Sequence, residues 1–306
     1  MKHILFSVLA LSILTACTTT ENRLKQRANE LCAYIPDHEL LEKSRNYLTD
    51  DFYAVLDTMF YHLPEHEAMD HEWLYYFVTG NGGTVADYTV LSVKQIDKNH
   101  AVATILVQQL WPEGLEGDIE DEPEEHRLYM DRVHGQWLMS DFDEHKADCI
   151  RYIANNRKEQ ALRDAISEYL IRNIAPFYLQ GELCIPTLMM VAEEDSCVWG
   201  DFWIWWYQLN SDTLKTVSGG NHAGKMTIAM QEGKPMVTTF EQTVDGAGNA
   251  TSAKRIFGSH YDIYLNMHSN ADVREAVRKE QLGEYIRHHN ISARYYQDYG
   301  WPAVEL

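Results

Sequence analysis

Apolar and polar positions alternate along this chain in two rhythms, and the rhythms recur in the same order in each half. Leu48 to Leu63 places Phe52, Val55, Leu56, Met59 and Phe60 at helical spacing behind Thr49-Asp50-Asp51, a cap and two acids that suit a helix N-terminus. Arg23 to Tyr34 predicts another helix before it. The period then drops to two. Tyr88 to Ile96 and Ala101 to Leu110 read as strands joined at Asp97-Lys98-Asn99-His100, and Arg127 to Val133 and Gln136 to Phe142 as strands joined at His134-Gly135. Helices followed by a meander of antiparallel strands is an α+β layout.

The second half begins with a helix predicted over Arg157 to Tyr178. Leu162, Ile166, Tyr169, Leu170 and Ile174 lie on one stripe, and Pro176 marks its end. Strands are expected at Leu183 to Val191, Val198 to Leu209, Leu214 to Val217, Met226 to Met230 and Met236 to Val244. A turn follows at Asp245 to Asn249. Helices are expected at Ala253 to Met267 and Val273 to His289, the second opened by Ser269-Asn270-Ala271-Asp272. The boundary between the halves falls near Arg151 to Asn156, which gives domains of 23–150 and 155–306.

The first residues follow neither rhythm. Lys2 precedes Ile4 to Leu14, an apolar run too short for a membrane span, which needs about 20 residues. Leu14-Thr15-Ala16-Cys17 closes it and resembles the bacterial lipobox. That resemblance implies a signal peptide over 1–16, cleavage before Cys17, a diacylglycerol thioether on its sulfur and an acylated amino group. Residues 17–22 would be a polar tether from a stable multi-chain anchor. Thr18 is not the aspartate that retains enteric-type lipoproteins at the inner membrane. The implied address is the cell envelope, at the outer membrane of a Gram-negative-type bacterium.

Twenty-six basic side chains stand against 46 acidic ones, a net charge of -20, and loss of Lys2 with the leader deepens it by one. Such a field repels nucleic acid, so the partners expected are the membrane, through the lipid, and an unknown small molecule or envelope protein. Four cysteines remain beyond Cys17. Their pairing is open, with Cys32 and Cys149 placed to staple the first half. Cys184 and Cys197 flank a turn expected at Glu193 to Ser196, and a register counted from it pairs Cys197 near Ala192, far from Cys184. No pair has the C-x-x-C spacing of zinc or redox sites.

Helix followed by curled antiparallel strands, twice over, resembles the cone fold of the nuclear transport factor 2-like superfamily. In the first half the segment Leu128 to Phe142, with Trp137 after the glycine turn, resembles the two-strand ending of secreted bacterial members. In the second half Val198-Trp199-Gly200-Asp201-Phe202-Trp203, Ser218 to Gly224 and Tyr296-Gln297-Asp298-Tyr299-Gly300-Trp301 resemble a recurring pattern of uncharacterised envelope proteins with that fold. The resemblance implies two tandem cone-shaped domains, each with helices packed on a curved antiparallel sheet. It is almost silent on function, because one fold hosts many activities.

Candidate chemistry is sparse. His66 and His71 in Glu65 to Glu72 are five apart, so at helical spacing they point away from each other, and a zinc helix needs four. Glu113 to Glu125 holds eight acids in thirteen residues, but its glycines are misplaced for a calcium loop. No metal and no cofactor are expected. Trp199, Trp203, Trp205 and Tyr207 alternate on one face of a strand and Phe202, Ile204 and Trp206 on the other. Either both faces are core or one lines a ligand cleft.

Thr216 to Met226 (TVSGGNHAGKM) reads as a glycine-hinged turn between strands. It matches neither a phosphate loop nor a nucleophile elbow. It places Ser218, Gly219, Gly220 and His222 as ligand-binding candidates with Trp203, Tyr207 and the tail residue Trp301. If the aromatic tail covers the open end of a cone, Asp298 would orient His222 as a general base, with Asp201, Asp262 and Tyr207 as further polar candidates. The expectation is therefore a non-catalytic, lipid-anchored binding protein. An acid-base hydrolase or isomerase using His222 with Asp298, and a scaffold of an outer-membrane assembly, are the alternatives.

Overall fold

A computed structural model describes residues 20–33, 41–63, 84–110 and 122–306. The leader and Cys17, the His66–His71 segment and the acidic run from Glu113 to Asp121 lie outside the described residues. The chain is α+β and divides into two compact units, 1–156 and 157–306.

In the first unit, helix α1 (20–32) turns Leu24, Ala28, Leu31 and Cys32 inward at spacings of three and four. A short turn of helix, α2 (Leu41–Ser44), precedes α3 (Asp50–Tyr61), whose cap is Thr49, accepting the Phe52 N–H at 3.4 Å. Four antiparallel strands follow in sequential order: β1 (Thr84–Gln95), β2 (His100–Leu110), β3 (Glu124–Val133) and β4 (Gln136–Phe142). Ala101, Ala103, Ile105 and Val107 alternate into a core with Leu128, Met130, Phe52 and Leu56. The β3–β4 loop is the expected two residues, with His134 and Gly135 both at positive φ, the conformation that matches strand twist.

The boundary between the units falls after Asn156, at the end of the stretch expected for it, but within a helix. This helix, α4, runs from His145 to Asn173. No glycine or proline interrupts those residues, so nothing local stops the helix until Pro176. It therefore ends five residues before the expected Tyr178, and a single 3₁₀ turn, Ala175–Phe177, follows.

The second unit is built on one long hairpin, β7 (Cys197–Asn210) with β8 (Thr213–Gln231). Strands β5 (Leu183–Cys184) and β6 (Thr187–Glu194) share the outer edge of β7, broken where Pro186 removes a donor from the single strand expected there. On the far side of β8 lie β9 (Lys234–Gln242), antiparallel, and β10 (Tyr295–Gln297), parallel, with β11 (Val304–Glu305) beyond it. Three C-terminal helices complete the unit: α5 (Asn249–Phe257), α6 (Tyr261–Ser269) and α7 (Ala271–His288). The single helix expected over Ala253 to Met267 is split because Gly258, at φ +53°, closes α5. The cap of α7 is Asn270, accepting from Val273 N–H, with Asp272 in the first turn.

The aromatic strand is covered on both faces. Val198, Phe202, Ile204 and Trp206 pack against Leu162, Ile166 and Leu170 of α4. Trp199 meets α5, while Trp205 and Tyr207 meet Leu282 and Ile286 of α7. The four described cysteines are free thiols. Cys184 sits opposite Trp206, whereas Cys197 pairs with Glu194 rather than Ala192 across a two-residue loop, so the two do not meet. Burial pushes the Cys32 thiol up to about 12 and the Cys149 thiol to about 11. No helix among the described residues is long and apolar enough to cross a membrane.

Candidate functional site

The glycine segment is not a turn. Thr216 to Met226 lies in the middle of β8 and is paired with β7 apart from a bulge at Val217, Gly219 opposite Trp205 and Gly220 opposite Ile204. The glycines admit bulk from elsewhere. A Cβ on Gly219 would overlap the Ile204 carbonyl and the Trp205 ring, and one on Gly220 would overlap the Tyr178 hydroxyl. Glycine punctuates sequence where turns occur, but it also appears where neighbours leave no room for a side chain, and here the second reason holds.

Strand pairing sorts the sequence candidates onto opposite faces of one sheet. Ser218, Gly220 and His222 stand with Phe202, Ile204 and Trp206 on the α4 face; Thr216, Gly219 and Asn221 stand with Tyr207, Trp205 and Trp203 on the other. The six candidates on these two strands therefore do not line one pocket. Trp301 is 72% exposed and Tyr299 97% exposed, so the tail end does not roof a cavity. Of that tail only Tyr296 is buried, through β10.

His222 is fully occupied. Gln242 Oε1 accepts from Nδ1–H at 2.8 Å, which leaves Nε2 as a lone pair that accepts the Tyr178 hydroxyl, also at 2.8 Å. Ser218 Oγ donates to the Leu179 carbonyl at 2.6 Å. Asp298 does not reach His222. Arg278, on α7, grips it with Nη1 and Nη2 at 2.8 and 2.9 Å, while Nη2 also donates to Thr216 Oγ1 and Nε to the Tyr207 hydroxyl. The guanidinium is 3% exposed and lies 4.0 Å from the Trp205 ring centre and 4.8 Å from that of Tyr296. Those bonds hold the Asp298 carboxyl below the usual carboxylate range. The pair fastens the tail to the sheet, and the expected His222–Asp298 dyad is not formed. Asp262, on α6, is exposed.

The face under the C-terminal helices carries an arrangement that sequence reasoning missed. Asp201 is 0% exposed, and both its carboxylate oxygens are engaged. Asn221 Nδ2 donates to Oδ1, and His268 Nδ1 stands 3.0 Å from Oδ2, although His268 is 67 residues away on α6. The Tyr264 ring stacks on His268 at 5.2 Å. Arg274 donates to the His268 backbone carbonyl and lies over Trp203, which stacks on Trp205 with ring planes 6° apart. Burial, with the nearby Asp201 charge second, pushes the Tyr264 phenol up to about 12, so it remains an O–H donor.

Four buried donors of this unit have no hydrogen-bond partner among the described residues: Trp203 Nε1, Trp205 Nε1, Tyr264 Oη and Tyr296 Oη. Their residues pack on the face covered by the C-terminal helices, not on the α4 side. A buried donor without an acceptor costs about 1–3 kcal/mol; Trp205 and Tyr296 belong to the cluster with Leu282 and Ile286, Tyr264 to the one with Ile256 and Phe257. His268, Tyr264, Arg274 and Arg278 arrive on helices far along the chain, with no local spacing to betray them. The one available signal was Asp201, a carboxylate on the same strand face as three tryptophans, which needs a partner from elsewhere. Among the described residues no group of three metal-binding side chains converges.

No protein-family model matches this chain, and no curated protein matches it. A solved structure described as "Ntf2 like protein involved in plasmid conjugation" is similar at 10% identity and a TM-score of 0.21, covering 75% of this chain and 98% of that one.

Proposed function

We propose that this is a lipid-anchored envelope protein of two tandem cone-type units, whose second unit binds a small ligand against the face covered by the C-terminal helices. The observation that carries the reading is the surplus of unpartnered donors that includes Trp203 and Tyr264, beside the buried Asp201 and its partner His268. The complement of such a surface is a molecule rich in acceptor oxygens with a flat apolar part for the half-buried tryptophans. The α4 face, where the glycine strand meets Tyr178, serves packing.

The anchor and the outer-membrane address rest on the lipobox-like Leu14 to Cys17. Labelled palmitate should enter the full chain, and Cys17→Ser should abolish the label and release the protein from the membrane fraction. Native mass spectrometry of protein purified from its host tests the ligand: a retained small mass, lost in Trp203→Ala, is expected. A wild-type protein of bare mass would sink the binding reading.

A further inference from the structure

We propose that the second unit is a hydrolase of small esters, in which His268 is the general base and Asp201 positions it; this rests on the ligand-binding reading above. A carboxylate only accepts, so the Asp201–His268 bond places the imidazole proton on Nδ1 and leaves Nε2 with its lone pair. The carboxylate is sealed, but the His268 side chain is 36% exposed, so Nε2 can meet solvent and a bound molecule. Asn221 on one side and the Tyr264 ring on the other fix the pair. A nucleophile-activating base needs this: a free lone pair within reach and a third group holding the ring.

The other acid–histidine pairs among the described residues lack one requirement or the other. Asp97 and Asp57, beside His100 and His62, are solvent-exposed carboxylates on exposed imidazoles. At His126–Asp143 the arrangement is inverted, with the imidazole buried and its Nε2 sealed without a partner. His260 is mostly buried against an exposed Glu194. His222 has spent both nitrogens. Of the acid–histidine pairs compared among the described residues, His268 is the one that joins a buried carboxylate to an accessible ring.

In the reaction, Nε2 of His268 takes a proton from water as the water oxygen bonds to the ester carbonyl carbon. The carbon–alkoxide bond then breaks, and the proton on Nε2 passes to the departing alkoxide. Ester and water become acid and alcohol, and His268 returns to its neutral form. Arg274 donates to the His268 backbone carbonyl and lies 5.9 Å from the Trp203 ring centre, and the half-buried Trp203 offers its ring to a flat leaving group.

The test uses 4-nitrophenyl acetate with the full chain. We expect H268Q to lose about 100-fold or more of the rate above buffer, the usual worth of a general base. In D201N, kcat should fall about tenfold or more while KM stays within about twofold and the thermal midpoint holds, a split that a merely structural Asp201 would not give. H222F should keep the wild-type rate. A second measurement avoids relying on the fold of H268Q. Carbethoxylation of native His268 by diethyl pyrocarbonate, read by mass spectrometry, should be fast and should slow severalfold in D201N. A wild-type rate no faster than free imidazole, or H268Q as active as wild type, or His268 equally reactive with and without Asp201, overturns the proposal. Quenching of tryptophan fluorescence by 4-nitrophenol separates the two readings. Quenching that saturates without turnover leaves binding standing and removes the base, whereas neither quenching nor turnover removes both.

Discussion

The two faces of the β7–β8 hairpin are made by alternate residues of the same strands, yet they treat polar groups in opposite ways. On the α4 side the polar groups are few and answered: His222 by Tyr178 and Gln242, Ser218 by Leu179, Trp206 Nε1 by the Ala175 carbonyl at 3.0 Å. On the other side a buried carboxylate and a buried guanidinium are answered, but donors are left over. A face whose polar groups are met is fixed by packing, whereas each unmet donor costs the fold about 1–3 kcal/mol. The glycine-rich segment, the more conspicuous in sequence, belongs to the packed face through Gly220 and His222. The Asp201–His268 pair belongs to the face that the sequence left inconspicuous.

The largest expected effect that would break this contrast is at Arg278. Arg278→Met leaves Asp298, Thr216 and Tyr207 without their donor and should cost about 3 kcal/mol, at the lower end for a broken buried pair because Asp298 is part-exposed. Urea unfolding of the full chain measures it, with release of the tail seen as faster proteolysis after Tyr295. Next is Gly219→Ala, expected to cost about 2 kcal/mol because the methyl meets a backbone carbonyl that cannot move aside. Gly220→Ala should cost less, since the Tyr178 hydroxyl can swing away. His222→Phe should lose about 1 kcal/mol, the worth of its two hydrogen bonds, with no change in any activity of the opposite face.

Acid should act through the Arg278 side. The Asp298 carboxyl is held below its ordinary value of 3.8, so its stabilisation is present above that pH and is lost as pH falls through the lowered value. Asp298→Asn should therefore flatten the dependence of unfolding free energy on pH below 3.8, and an unchanged slope would show that the carboxylate is not the group titrating. The smallest effect is expected at the thiols. Burial holds Cys32 and Cys149 protonated, so native protein at pH 8 should resist iodoacetamide at both, and denatured protein should not.

Element type was legible wherever periodicity was strong. The Thr49 cap, the β1–β2 and β3–β4 hairpins and the α4 stripe follow from local rules, and the structure carries them, although α4 itself starts at His145 rather than at the expected Arg157. The misreadings share a cause. Gly219 and Gly220 were ambiguous because sequence shows that a side chain is missing but not whether φ or a neighbour forbids it. Asp298 was expected to orient His222, but the group it meets, Arg278, is set by a helix docking twenty residues upstream. His268 was invisible for the same reason: the docking of α6 on β7 is a tertiary fact with no period.

The parallel pairing of β10 with β8 has a consequence for the order of assembly. The β7–β8 hairpin closes across a two-residue loop and can form as soon as its own residues are present, whereas Tyr296 meets Leu214 only after a loop of about eighty residues has closed. Until then Arg278 sits over the Trp205 and Tyr207 rings with only Glu275, 3.9 Å away on its own helix, as a carboxylate. Closing that loop brings the two-pronged Asp298 partner to a guanidinium otherwise faced only by Glu275, so docking of the tail and completion of the Arg278 pairing are one event.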